Sequence, residues 1–465
     1  MNNKEIKTCA VILAAGEGTR MKSKKSKVMT EVLFKPMIDW VLDSLDNAGV
    51  KDQVVIIGHK GEEISEHLGD RCATAVQEKR LGTGHAVMQA VSVLEKNEAE
   101  HVLILNGDAP LMDSETILAS LETHEEEGNA VTVISASLND PFGYGRIVRL
   151  EDGSVARIVE QKDANEAEKA INEVNSGAYW FEKEALLKSL KGLSTNNEAG
   201  EYYLTDTLEV LKNAGHRVGA YATDNCNVIL GANTRVQLLE LNTLARMDVL
   251  NKHMENGVDI PCTDGIIIGT DVEIGRDTQI LPNTILKGNT VIGEDCVIGP
   301  NTVVTDSVIK DGVILNNVDF EESVIEQGAD IGPFSHIRPG SHLGEKVHVG
   351  NFVEVKNSNI GNGTKVPHLT YVGDSDVGEG VNFGCGSLTV NYDGKHKTRT
   401  TIKDHAFIGC NTNLIAPVTV GEYAFTAAGS TITDDIPGFA LSVARARQIN
   451  KEGWVTRKKP YKNMK

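Results

Sequence analysis

The 465-residue chain has no run of about 18 apolar residues, so it offers no candidate membrane-spanning helix. Its first residues, MNNKEIKTCAVILAAG, carry only a short apolar stretch leading into glycine, not a secretory cleavage signal. Positive charge is scarce: 46 Lys and Arg stand against 65 Asp and Glu, a formal net charge of −19. Such an acidic chain does not suit a nucleic-acid duplex or an anionic membrane as a general partner, so any anionic ligand must be held by a local basic site. No CxxC or finger-like spacing links the seven cysteines, at 9, 72, 226, 262, 296, 385 and 410, which speaks against a disulfide framework or structural zinc. These absences predict a soluble, cytoplasmic protein with neither nucleic acid nor membrane insertion. Its length implies two or three domains rather than one core.

What is present is uneven. Of 45 glycines, 26 fall after residue 256. In that part aliphatic residues recur every six positions, at Ile268, Ile274, Ile280, Leu286, Ile292, Ile298 and Val304, then at Ile331, Ile337, Leu343, Val349 and Val355. Shorter runs follow at Ile360, Val366 and Val372 and at Ile402, Ile408, Leu414 and Val420. A period of six fits neither an α-helix nor long alternating strands. It suits short strands joined by tight turns, each sending one aliphatic side chain inward, which predicts a parallel β-helix rather than a sandwich. The register breaks at 308–326 and 391–401, and loops are expected to leave the wall at both places.

Before residue 235 short apolar strands alternate with helical stretches, the pattern of an α/β domain with a mostly parallel sheet. Strands are expected at 9–13, 54–57, 102–105 and 130–135, and helices at 37–48 and 85–96. The stretch 234–255 lacks Gly and Pro and predicts one connecting helix. The chain is therefore divided as 1–233, a helical linker 234–256, and 257–465. The first strand runs into Leu13-Ala14-Ala15-Gly16-Glu17-Gly18-Thr19-Arg20-Met21, where backbone N–H groups can approach a phosphate. This is neither a Walker loop nor the dinucleotide fingerprint, and a tight turn without ligand is the plainer alternative. The strand at 101–105 delivers Asn106-Gly107-Asp108-Ala109-Pro110, setting a carboxylate at the carboxyl end of a strand, where a hard cation such as Mg2+ could be held. The plainer alternative there is a turn.

These residues resemble the sugar-nucleotide pyrophosphorylases, and more narrowly the family of bifunctional N-acetylglucosamine-1-phosphate uridyltransferases and glucosamine-1-phosphate acetyltransferases. The likeness spans nearly the whole chain, through LAAGEGTRM at 13–21, LGTGHA at 81–86, NGDAP at 106–110, FGYGRI at 142–147, EVNSGAYW at 173–180, GEYYLTD at 200–206 and GANTR at 231–235. It implies a Rossmann-like nucleotidyltransferase domain followed by a left-handed parallel β-helix of hexapeptide repeats, assembled as a homotrimer. Carried over residue by residue, it implies that Leu13, Ala14, Ala15, Gly16, Gln77, Gly82 and Thr83 hold the uracil nucleotide and that Lys27 faces phosphate. Asn106 and Gly107 join that pocket. Gly145, Glu160 and Asn175 would hold the acetylated sugar, and Asp108 and Asn233 would bind Mg2+. The chain departs from the family pattern at Ser26, Thr30, Phe34, Arg80 and Asn106.

The repeat region also carries titratable groups that packing does not need. His336, His342 and His348 are six apart, so they leave three different faces and cannot form a metal trio within one chain. His368, after Pro367 and three residues before Tyr371, stands apart. The resemblance makes His368 the general base of acetyl transfer, and a histidine titrating near neutrality suits that step. It implies that Arg338, Lys356, Tyr371, Asn382 and Lys397 hold the acceptor's sugar phosphate. Asn391, Tyr392, Arg445 and the backbone at Cys385, Cys410 and Ala428 would hold acetyl-CoA. The two cysteines stand where the family has small residues. They lack the adjacent base that a catalytic thiol needs. The resemblance thus implies acetylation of glucosamine 1-phosphate by acetyl-CoA, then uridylyl transfer from UTP to N-acetylglucosamine 1-phosphate. The alternative is a sugar-1-phosphate nucleotidyltransferase whose β-helix only regulates or oligomerises.

Overall fold

The computed structural model describes residues 7–58, 61–151, 153–197 and 200–460. The chain forms two compact units, Met1–Asp248 and Val249–Lys465. In the first, seven strands build the main sheet: β1 (Thr8–Ala14), β2 (Asp52–Gly58), β3 (Ala73–Gln77), β4 (His101–Asn106), β5 (Val131–Ser137), β6 (Glu173–Glu182) and β7 (Val218–Thr223). Their spatial order is β7-β5-β6-β4-β1-β2-β3, parallel except for β6, which runs against both β4 and β5. Both faces are covered, as a parallel sheet requires. Val11, Val54 and Ile104 pack into one apolar layer, and Ile12, Val55 and Leu103 into the other.

Each of the four strands expected from sequence is present. β3, β6 and β7 carried no comparable signal. β3 is largely exposed and alternates no apolar face, and β6 is interrupted by a bulge between Asn175 and Ala178. The expected helix at 85–96 is two short helices, Thr83–Met88 and Val91–Leu94. Between them Gln89 and Ala90 donate to carbonyls three residues back, Ala86 and Val87, so the backbone tightens and the helix axis is interrupted. The Gly- and Pro-free stretch is one helix, Arg235–Glu255.

The second unit is a stack of coils whose strands, two to four residues long, form three parallel sheets of ten, nine and ten strands. Each inward side chain lies over its equivalent in the next coil. Ile268, Leu286, Val304, Phe320, Ile337, Val355 and Val372 make one such column. All seven are fully buried. Ile274, on a strand at the edge of its sheet, is only partly covered.

One expected loop does not exist. Across 308–326 the wall continues through strands Val308–Ile309, Ile314–Leu315, Val318–Glu321 and Val324–Ile325. Three turns are one residue shorter there, two of them before Phe320, so Phe320 rather than residue 322 pairs with Val304 and fills the aliphatic place. The periodicity was lost while the coil was kept. At 391–401 the chain does leave the wall, closing a small antiparallel bridge between Tyr392 and Lys397. Arg399 ties the loop's end back, with both carboxylate oxygens of Asp376 at 2.6 and 2.9 Å and the Asn357 and Ser375 carbonyls accepting from it.

Corner residues stack as the inward ones do. Asn283, Asn301 and Asn317 sit on successive coils with left-handed backbone, which asparagine tolerates. Their side chains form a ladder, each Nδ2 donating to the next Oδ1 at 3.0 Å.

Candidate active sites

In the first unit the carboxyl ends of β1 and β4 open into a cleft of about 290 Å³ lined by Leu13–Gly16, Lys27, Gln77, Gly82, Thr83, Asn106 and Asp108. A larger cleft of about 770 Å³ shares Leu13, Thr83 and Asn106 with it and continues to Glu160, Asn175, Tyr179 and Tyr203. Nothing lies within 4 Å of where a Cβ on Gly16 would point, so the backbone there faces open space. Gly82 has a left-handed φ of 103°, and a Cβ there would lie 2.5 Å from the Tyr202 carbonyl oxygen, so only glycine fits. Gln77 is buried and donates from Nε2 to the Gly82 carbonyl at 3.1 Å, while Thr83 Oγ1 accepts from Leu204 N at 3.1 Å.

The most charged point of this cleft is Lys27, buried to 9% exposure. Its ammonium pairs with Asp108 Oδ2 and donates to Asn233 Oδ1 at 2.8 Å, and Arg20 also donates to Asn233 Oδ1, at 2.9 Å. Two oxygens from distant parts of the chain thus converge on one cation. At the far end Glu160 and Asn175 flank Gly145, with Glu160 Oε1 3.3 Å and Asn175 Cβ 3.6 Å from where a Gly145 Cβ would sit. Burial, reinforced by nearby Asp163, pushes the Glu160 carboxyl above its ordinary range. Asn175 donates to the buried Tyr179 hydroxyl at 2.7 Å and accepts from Gly177 N at 3.0 Å. The bulge in β6 falls between these residues, re-aiming Asn175 at the cleft.

In the second unit the strand pairing places Arg338 beside Lys356 and Glu354 beside Tyr371. Lys397 comes from the loop at 391–401. Its ammonium lies against that of Lys356 and, with some burial, pushes the Lys356 pKa down. Arg338 is held by Glu354 at 2.7 Å. Asp374 resists burial with hydrogen bonds from Asn357 and Asn391 and with Lys356 and Lys397 nearby, which keep its carboxyl below the usual range. Two ammonium groups pressed together with one carboxylate between them leave an excess of positive charge, which suits a phosphate dianion. The Tyr371 hydroxyl accepts from Asn391 Nδ2 at 3.4 Å.

His368 ends the strand Lys365–His368 with its side chain exposed. Lys365 pairs with Asn382 and Tyr371 with Leu388, so the residue one coil beyond His368 is Cys385. By the same reckoning Cys410 follows Cys385, and Ala428 follows Cys410. These four therefore form one column up the wall. The Arg445 side chain approaches the backbone beside that column, its Cδ 4.0 Å from a Cβ built on Gly429. Tyr392 is exposed on the loop, its hydroxyl donating to the Gly394 carbonyl at 2.7 Å.

Residues 9–226 match the nucleotidyl transferase family, and 265–306 match the bacterial transferase hexapeptide repeat. A protein of Acetivibrio thermocellus named Bifunctional protein GlmU is 52% identical over 97% of both chains. Proteins of the same name from Thermoanaerobacter pseudethanolicus and Clostridium botulinum are 50% and 48% identical, again over nearly the full length of each. The chain belongs to the GlmU family. It is a bifunctional enzyme, a uridyltransferase joined to an acetyltransferase of the hexapeptide-repeat class.

Within this GlmU-family chain, two departures noted in the sequence have visible settings. Arg80, which lines the smaller cleft, forms an ion pair with Glu17. Asn106 lies against Gly177, whose φ of 79° and missing Cβ leave room for it. Arg146 went unremarked from sequence. It is almost fully buried, donates to the Tyr144 carbonyl and to Gln161 Oε1 at 2.8 Å, and so braces the wall of the sugar-sized cleft. Its place in FGYGRI was the available signal. Asp319, Glu321 and His336 lie close enough to share a cation, on one face only, and His342 and His348 are in other sheets. No helix of the described residues is long and apolar enough to cross a membrane.

Proposed function

We propose that residues 1–233 transfer uridylyl from UTP to N-acetylglucosamine 1-phosphate and that 257–465, beyond the 234–256 helix, acetylate glucosamine 1-phosphate with acetyl-CoA. The observation that carries this reading is that the first unit holds a polar cleft lined by Lys27, while the second brings the Lys356 and Lys397 ammonium groups together beside Arg338. In the uridylyl reaction the sugar phosphate oxygen attacks the α-phosphate of UTP and pyrophosphate leaves. Such a transfer needs positioning and charge neutralisation, with no protein nucleophile. The Leu13–Gly16 backbone, Gln77, Gly82 and Thr83 would orient the nucleotide. Lys27 lies where the phosphates pass, and Gly145, Glu160 and Asn175 would hold the sugar.

Asp108 and Asn233 are the residues that would hold Mg2+. The donor set fits, because their two oxygens already converge on a cation, the Lys27 ammonium, and hard divalent ions take such oxygens. When bound, the ion would supply charge neutralisation to the phosphates. Lys27 and Arg20 share that task from the protein side.

In the acetyl reaction Arg338, Lys356, Lys397, Tyr371 and Asn382 would hold the acceptor's phosphate and sugar. The His368 imidazole takes a proton from the attacking amine, which adds to the thioester carbonyl, and the coenzyme A thiol leaves. The column above His368, with Asn391, Tyr392 and Arg445, would carry acetyl-CoA. A homotrimer is part of this proposal. Phe334, Phe352 and Leu369, each more than half exposed, form an apolar ridge on successive coils, with the two phenylalanine rings stacked at 5.4 Å. We assign the protein to the cytoplasm.

The test uses glucosamine 1-phosphate, acetyl-CoA, UTP and magnesium, with free thiol and pyrophosphate followed separately. Both signals are expected. His368→Ala should abolish thiol release only, and Asp108→Ala pyrophosphate release only, when pre-acetylated sugar phosphate is supplied. Pyrophosphate release without any thiol release by the unmodified protein would refute the acetyltransferase assignment.

A further inference from the structure

The GlmU-family reading gives Cys385 and Cys410 no chemical role, yet the fold brings the two together. The strands before them pair Phe383 with Ile408, and those after them pair Leu388 with Asn413, so both cysteines occupy the same corner position on adjacent coils. Asn411 N donates to the Cys385 carbonyl at 2.8 Å, which fixes that register at the corner itself. Parallel strands lie about 4.8 Å apart, inside the Cα separation of about 4.4–6.8 Å that a disulfide requires. Corner side chains in register do meet in this protein. The asparagine ladder makes contacts of 3.0 Å. Both thiols are free, with Cys410 exposed and Cys385 partly so.

We propose that Cys385 and Cys410 are a reversible thiol–disulfide pair built into the wall of the acetyltransferase site, oxidised by low-molecular-weight disulfides. The Cys410 thiolate attacks one sulfur of the small disulfide and releases one thiol. The Cys385 thiolate then attacks Cys410 Sγ, forms the intramolecular bond and expels the second thiol. The two cysteines lose two electrons and two protons, and the small disulfide gains them as two thiols. The thiols at Cys9 and Cys296 are not competitors, since burial pushes the first up to about 12 and raises the second. Because the column runs His368, Cys385, Cys410, Ala428, the bond would lie one coil from the proposed base, on the surface assigned to coenzyme A. That consequence rests on the proposed function, whereas the bond itself does not.

The experiment treats the full, reduced chain with excess glutathione disulfide and then removes it. Titratable thiols under denaturing conditions should fall, and non-reducing peptide mapping should show a Cys385–Cys410 cross-link that dithiothreitol reverses. Acetyl transfer, followed by mass detection of the acetylated sugar phosphate, should show a severalfold rise in KM for acetyl-CoA, with pyrophosphate release unchanged. Cys385→Ser and Cys410→Ser, each compared with its own reduced form, should lose the oxidation response. Glutathione adducts on either cysteine without the cross-link would overturn the pair. A cross-link with unchanged KM would overturn the regulatory consequence. Absence of acetyl transfer even from the reduced chain would refute the functional assignment instead, while the cross-link still reports on the pair.

Discussion

Phe320 provides the sharpest check on how the β-helix is built. In the sequence it falls inside a break in the six-residue repeat, where a loop was expected. In the structure it is fully buried and stacked between Val304 and Ile337. Truncating it to alanine removes a buried aromatic ring and leaves a cavity in a coil that its neighbours cannot readily collapse to fill, at a cost of about 3–5 kcal/mol. With an m-value of about 3 kcal/mol/M, the urea midpoint of the second unit should fall by more than about 1 M. Unfolding followed by far-UV circular dichroism reports the coils. Fluorescence of Trp180, fully buried in β6, reports the first unit and should keep its midpoint. A residue on a departing loop would cost less than about 0.5 kcal/mol on truncation. A loss that small, or an equal loss in both transitions, would refute the continuous-coil account.

Lys397→Met should free the Lys356 ammonium from its like-charged neighbour, raising its pKa, and should weaken sugar-phosphate binding, seen as a higher KM for glucosamine 1-phosphate with little change for acetyl-CoA. Gly82→Ala should impair pyrophosphate release by more than tenfold, about 1.4 kcal/mol, because its Cβ meets the Tyr202 carbonyl, and thiol release should continue. His124 is buried and its pKa is pushed down to about 3 by burial and by His101. A lowered histidine pKa means that the unfolded chain takes up the proton first. The stability is fully present above about pH 6.5 and is lost as the pH falls toward 3, at up to about 1.4 kcal/mol per unit. Replacing His124 with glutamine should flatten the unfolding free energy of the first unit across that window, measured by urea titration at several pH values.

Much of this protein was determined by local sequence. A six-residue period can bury aliphatic side chains only in stacked coils, and a Gly-rich turn after an apolar strand opens the strand's carboxyl end, so the repeat and the cleft at Leu13–Gly16 were legible. So was the place of Asp108 just beyond the carboxyl end of β4. Tertiary structure alone decided the remainder, because it depends on pairing between distant segments. The shortened turns around Phe320 hid a coil whose register only its neighbours reveal. β6 joins a partly exposed polar half at Asn175–Gly177 to a buried run at Ala178–Phe181 across a bulge, so no single pattern spans it. The meeting of Asp108 with Asn233 on Lys27 and of Lys356 with Lys397, and the shared register of Cys385 and Cys410, follow from strands and loops far apart in the chain. No local periodicity encodes those distances; the stacking of coils and the order of strands in the sheet do.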